Sequence, residues 1–74
     1  MKIPEAIPHL IESLESKDNE LRINAANALG MIGRPEANKH LQRMLDDEEW
    51  IVRTSAQKAL KQIAAAQDFG RRGH

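Results

Sequence analysis

Apolar residues recur along this chain at intervals of three and four, broken by short polar stretches. Ile3, Ile7, Leu10, Ile11 and Leu14 keep helical spacing and predict a first helix over roughly 5–16. Pro4 suits the first turn, and Pro8 costs no bond there because its N–H would be unpaired anyway. Ser16-Lys17-Asp18-Asn19 reads as a turn, with Asp18 or Asn19 as N-cap. Leu21, Ala25, Ala28, Leu29 and Ile32 then share one face of a second helix. Gly33 suits the left-handed stop of that helix, and Pro35 the start of the next. The third helix carries Ala37, Leu41, Met44 and Leu45. Asp46-Asp47-Glu48-Glu49 is a turn whose acids complement the dipole of the fourth helix. That helix carries Val52, Ala56, Ala59, Leu60 and Ile63. After Ala66 the period ends. Gln67 to His74 hold two glycines without periodicity and read as a flexible tail.

The pattern is a repeat. A shift of 31 residues superposes Pro4-Glu5-Ala6 on Pro35-Glu36-Ala37 and His9-Leu10 on His40-Leu41. The same shift places Leu14 on Leu45, Arg22 on Arg53, Ala25 on Ala56, Ala28-Leu29 on Ala59-Leu60 and Ile32 on Ile63. Eleven identities link segments 4–33 and 35–64 without a gap. Self-similarity at this period means copies of one supersecondary unit stacked side by side. The expected fold is all-α: an α-solenoid fragment of two helix–turn–helix repeats, four helices in all. The expected domain is 1–66, with repeat 1 at 4–33, repeat 2 at 35–64 and a tail at 67–74.

The helix–turn–helix period, the Ala-Leu-Gly-x-Ile-Gly ending at Ala28–Gly33 and the aliphatic–Arg pairs Leu21-Arg22 and Val52-Arg53 resemble HEAT repeats. They resemble more narrowly the short repeats of the phycobilisome-lyase type. The likeness spans 4–65. Repeat 2 departs from it at Lys61-Gln62-Ile63-Ala64, where the Gly-x-Ile-Gly ending is missing. Asp47, six residues before Arg53, stands where HEAT-like repeats place an acid that pairs with this arginine. Repeat 1 has Ser16 there, so Arg22 is expected to reach Asp47 across the repeats.

Differences between the copies mark the ends of the stack. Ile7, Ile11 and Ala26 in repeat 1 become Asn38, Gln42 and Gln57 in repeat 2, whereas Met44 stands where repeat 1 has Ser13. Terminal repeats need polar outer faces. Both ends are therefore expected to be capped, the C-terminal end more fully. Ala28, Leu29, Ala59 and Leu60 are expected at the inter-repeat core.

Composition narrows the function. Eleven basic and eleven acidic side chains cancel, which argues against generic polyanion binding. The strip Arg53, Lys58, Lys61, Arg71 and Arg72 has no aromatic residue between its lysines for base stacking, so nucleic acid is not the expected partner. The chain has no cysteine, hence no disulfide and no thiolate metal site; this fits a reducing cytosol, and a cytoplasmic location is expected. No apolar run approaches the ~18 residues of a membrane span. Met1-Lys2-Ile3-Pro4 lacks the apolar stretch of a signal peptide.

Candidate chemistry is sparse. His9 and His40 are equivalent positions, but helix packing holds such residues ~8–10 Å apart and no third ligand stands beside them. Asp46 to Glu49 lack the glycine and alternating ligands of a cation loop. No nucleophile–base pair or phosphate-cradling loop is present. The chain is read as not an enzyme, with no cofactor and no metal.

The remaining candidate is the outward face of the second helix of each repeat. It should show Glu20, Ile23, Asn27 and Met31 from repeat 1, and Ile51, Thr54, Lys58 and Lys61 from repeat 2, with Trp50 at the edge. Ile23, Met31, Trp50 and Ile51 are apolar where packing does not require it, and Trp and Met are common in interfaces. The expected partner-binding residues are Ile23, Asn27, Met31, Trp50, Ile51, Thr54 and Lys58. The expected function is a small protein–protein interaction module, its partner another protein or a second copy in a homodimer through this face. Two alternatives are an accessory part of a phycobilin-lyase-related enzyme, implied by the resemblance, and a nucleic-acid-binding HEAT-like protein.

Overall fold

The computed structural model describes the backbone of residues 5–72 and the side chains of 5–68. Ile3 and Pro4 lie outside the described residues, as do Gly73 and His74. The elements run α1 (Ala6–Ser13), α2 (Asn19–Ile32), a 3-10 turn (Pro35–Ala37), α3 (Asn38–Met44) and α4 (Trp50–Arg72). The fold is all-α, a small HEAT-like repeat fragment. Within the repeats α1 packs on α2 and α3 on α4, while the largest contact, α2 on α4, joins the two.

Local chemistry sets the helix ends. Asp18 is the N-cap of α2, its carboxylate accepting the Glu20 N–H at 2.9 Å. Gly33 ends α2 in the left-handed region at φ 77°, and its N–H donates to the Leu29 carbonyl. A β-carbon is strained there, so glycine suits this stop. In repeat 2 the Asp47 carboxylate accepts the Glu49 N–H at 2.9 Å.

Three boundaries differ from the apolar pattern. α1 stops at Ser13 rather than near 16, because the backbone bonds tighten to three-residue spacing at Glu15 and Ser16. Such tightening commonly closes a helix. Pro35 opens a 3-10 turn, and Ala37 at φ −95°, ψ 1° separates it from α3. The third correction is larger. Residues 67–72, expected to be tail, continue α4 to Arg72. Ala64-Ala65-Ala66 are strong helix formers. Beyond them the Gln67 side-chain amide donates to the Gly33 carbonyl at 3.1 Å, tying the extension to the end of α2.

The core shows how the repeats stack. Ile7, Leu14, Ala25, Ala26 and Leu29 are buried in repeat 1, and Ala37, Leu41, Met44, Val52, Ala56, Ala59 and Ile63 in repeat 2. A β-carbon built on Gly30 would stand 2.9 Å from the Ala59 Cα, and one on Gly33 would stand 3.0 Å from the Ala66 Cβ. The opposed residues advance together, so α2 and α4 run parallel. α2 meets α4 with Ala26 and Gly30, its forward side. α4 meets α2 with Ala59; Val52 and Ile63 fall within ~40° of it around the helix and are buried too, and the only buried polar residue among those described, Ser55, is on that helix as well.

This directionality corrects two expectations. Leu29 and Ala59 are buried, but Ala28 and Leu60 are only half-buried, since each turns toward an end of the stack. The forward end of repeat 2 is polar as expected, with Gln42, Gln57 and Lys61 exposed and Asn38 half-buried. The rear end of repeat 1 is not capped. Leu21 is 49% and Ile32 40% exposed there, although their equivalents Val52 and Ile63 are 0% and 1% exposed.

Candidate interaction surface

The outward sides of α2 and α4 lie next to each other because the helices stack in parallel. Asn27, Met31, Trp50, Ile51, Thr54 and Lys58 are exposed, whereas Ile23 is half-buried and packs against the core. Ile23 therefore belongs to the scaffold more than to the free surface. Advancing about 100° per residue, Trp50, Thr54, Lys58 and Ile51 fall within one ~100° arc of α4. Trp50 is 66% and Ile51 45% exposed at the first turn of that helix. The Thr54 hydroxyl donates to the Trp50 carbonyl at 2.9 Å, which holds the polar end of Thr54 against the backbone.

Met31 does not join this group. It is 80% exposed, but Ile51 is the equivalent of Glu20, eleven residues before Met31 in α2. At 1.5 Å rise per residue, Met31 and Ile51 sit about 16 Å apart along the helix direction. The surface thus has an aromatic–aliphatic end at Trp50 and Ile51, a polar middle at Asn27 and Lys58, and an isolated methionine at the far end.

The turn end of the repeats is a charged seam. Arg22 donates to the Ser16 carbonyl at 2.8 Å and also to the Asn19 side chain. Its guanidinium lies 3.4 Å from the Asp47 carboxylate, the cross-repeat pair expected from the sequence. Arg53 holds its own turn differently from expectation. It donates to the Asp47 carbonyl at 2.6 Å and not to the carboxylate, which Glu49 and Arg22 share. Both arginines thus clamp the backbone carbonyl six residues upstream, which explains why each repeat keeps one.

Beside this seam lies a crevice of about 240 Å³, smaller than the ~300–1,000 Å³ of typical ligand pockets. Its charges meet one another. Glu15 stands 3.6 Å from His40 and 3.7 Å from Arg43. His9 is exposed. Among the described residues no three His, Asp or Glu side chains group as metal ligands. No described helix is long and apolar enough to cross a membrane.

Sequence reading missed two contacts. Glu36 accepts from Arg34 at 2.7 Å, and that hydrogen bond, followed by one from its own backbone, holds the carboxyl below the usual carboxylate range. The pair clips the inter-repeat turn just after Gly33. The Gln67–Gly33 bond likewise has no periodic signal to reveal it.

Comparisons with known proteins agree with this architecture. The chain is 40% identical over 72 residues to a phycocyanobilin lyase subunit alpha of Synechococcus elongatus, covering 88% of this chain and 26% of that protein. It is 41% identical over 54 residues to a HEAT repeat-containing taxis protein of Halobacterium salinarum, covering 72% of this chain and 13% of that one. This chain therefore spans about a quarter or less of these curated relatives. A model of HEAT repeats matches residues 1–61; with two stacked helix pairs, a Gly33 stop and a clamping arginine in each repeat, the chain belongs to the HEAT-repeat family.

Proposed function

We propose that this chain is a non-catalytic interaction module that binds another protein through the outward side of α2 and α4. The observation that carries this reading is Trp50, 66% exposed beside Ile51 at 45%. A large aromatic left bare costs apolar hydration, and aromatic residues at the centre of an interface commonly supply most of its binding energy. Thr54 and Lys58 extend the same arc, and Asn27 continues it on α2. HEAT repeats generally serve protein association, which supports the reading.

Immobilised parent chain should capture a partner that Trp50→Ala loses and Gln42→Ala, on the polar forward end, retains. Capture that is equal for parent and Trp50→Ala refutes the assignment.

The likeness to a lyase subunit supports a second reading, in which the chain contributes protein contacts to a bilin-lyase assembly. Bilin absorbance co-purifying with the chain and its captured partner would favour it over a general binding role. A gel shift that vanishes with added salt would instead point to phosphate contacts.

A further inference from the structure

We propose that the Trp50–Ile51 surface takes a cationic amphipathic segment of its partner protein, with arginine side chains set among aliphatic ones. The proposal rests on the reading above that this surface binds protein, and it adds the partner's chemistry. Comparison of the two repeats separates this surface from the ends of the stack. Lys17, Asp18, Asn19 and Glu20 are the equivalents of Glu48, Glu49, Trp50 and Ile51. Repeat 2 is stacked on repeat 1, yet all four of those equivalents remain exposed. A stacked neighbour therefore leaves these positions in water. Repeat 2 puts an indole and a branched aliphatic chain there, and neither joins the core.

Charge selects what can cover them. The chain has no net charge, but this edge is acidic. Asp46, Asp47, Glu48 and Glu49 run up to Trp50 with no base among them. The Asp47 carboxylate is committed to the Glu49 N–H and to Arg22. Asp46, Glu48 and Glu49 are exposed and make no ion pair among the described residues. The same four acids meet Lys17 and Arg22 across a groove of about 520 Å³ between the two turns. With Arg22 facing Asp47, Lys17 is the one cation of that lining left to offset three carboxylates. Arg53 is close by but is held on the Asp47 and Glu48 carbonyls. Lys58 stands about 12 Å further along α4.

An occupant has to cover the indole without setting acid against acid. A purely aliphatic segment covers Trp50 and Ile51 but takes neighbouring carboxylates out of water uncompensated. An acidic segment adds like-charge repulsion. A guanidinium meets both demands. Its charge offsets Glu48 and Glu49, and its plane stacks on the electron-rich face of the indole. Aliphatic neighbours in the same segment then cover Ile51.

Two short amphipathic peptides test the proposal, one of arginine and leucine and a twin with glutamate for arginine. Titrated into the full chain, the first should shift Trp50 emission to shorter wavelength and saturate, and added salt should weaken it; the twin should do neither. By calorimetry, Trp50→Ala should weaken the arginine peptide ~10-fold or more. Asp46→Asn with Glu48→Gln and Glu49→Gln should do the same and flatten the salt dependence. Glu5→Gln, an exposed acid at the far end of the repeat from the turns, should change nothing. Circular dichroism checks that each variant folds. A twin that binds as well as the arginine peptide overturns the proposal, as does an arginine peptide that fails to saturate or binds Trp50→Ala unchanged. The capture experiment above separates the two readings. Capture lost with Trp50→Ala but kept by the triple neutral variant leaves a protein-binding surface and overturns its cationic partner. Capture kept by Trp50→Ala removes the surface itself.

Discussion

Gly30 is the point at which the packing of α2 on α4 is tightest, and adding one methyl group there sets two effects against each other. In a free helix Gly→Ala is stabilising by roughly 1 kcal/mol. Here the new Cβ would meet the Ala59 Cα at 2.9 Å and its Cβ at 3.1 Å, and it would also meet the Gln62 side-chain oxygen. Gln62 is exposed and can swing away. The Ala59 backbone cannot, so α2 and α4 must separate by a few tenths of an ångström. Overpacking of this kind typically costs ~1–3 kcal/mol. The net expectation for Gly30→Ala is a loss of roughly 0–2 kcal/mol, with larger losses for Gly30→Val, which adds β-branching in a helix. One kcal/mol corresponds to about 4–8 °C of Tm in a domain this small. Thermal and urea melts followed by circular dichroism read both. Lys61→Gly, at the equivalent position of α4, relieves no contact and should lose only the helix propensity. A Gly30→Val variant as stable as the parent, or Gly30→Ala stabilised by the full propensity gain, would refute the close approach of α2 and α4.

Other substitutions test separate parts of the stack. Leu29→Ala removes a side chain only 1% exposed and should cost ~2–5 kcal/mol, whereas Leu60→Ala, half-buried at the forward end, should cost clearly less; equal urea midpoints would contradict the assigned facing. Gln67→Ala removes the donor to the Gly33 carbonyl and should cost ~1 kcal/mol, with amide exchange after Ala66 speeding up; a frayed tail would show neither. The Arg34 hydrogen bond lowers the Glu36 pKa in the folded chain below its ordinary value of 4.5. Its contribution is therefore complete above that value and is lost as pH falls through the lowered folded pKa. Glu36→Gln should remove that part of the acid sensitivity, and identical acid melts would contradict the pair.

Much of the fold is legible in the residues because each boundary has its own chemical mark. Asp18 accepts an N–H, Gly33 takes positive φ and Pro35 opens a new turn. The Arg22–Asp47 pair was legible too, since Ser16 leaves Arg22 without an acid in its own repeat. The sides of α2 and α4 that turn inward were less so. Ala28-Leu29 and Ala59-Leu60 are identical pairs, yet Leu29 and Ala59 are buried while Ala28 and Leu60 are half-exposed. Identity marks equivalent positions, but α2 meets α4 with one side and α4 meets α2 with another, Gly30 standing against Ala59. The extension of α4 was hidden because it rests on alanine propensity and one long-range hydrogen bond, neither of which makes an apolar period. In the proposed interaction surface, exposure of Trp50 followed from its place outside the stripe. Ile23 and Met31 did not join it, because position along the helix axis separates residues that share a side.

Trp50 is the only tryptophan in the chain, so its fluorescence reports directly on the proposed binding surface. The emission of the free chain should be that of a solvated indole, since Trp50 is 66% exposed. Adding the captured partner should shift it to shorter wavelength, saturating at one partner per chain, as the ring leaves water. Binding that saturates by calorimetry while Trp50 emission stays fixed would contradict the account.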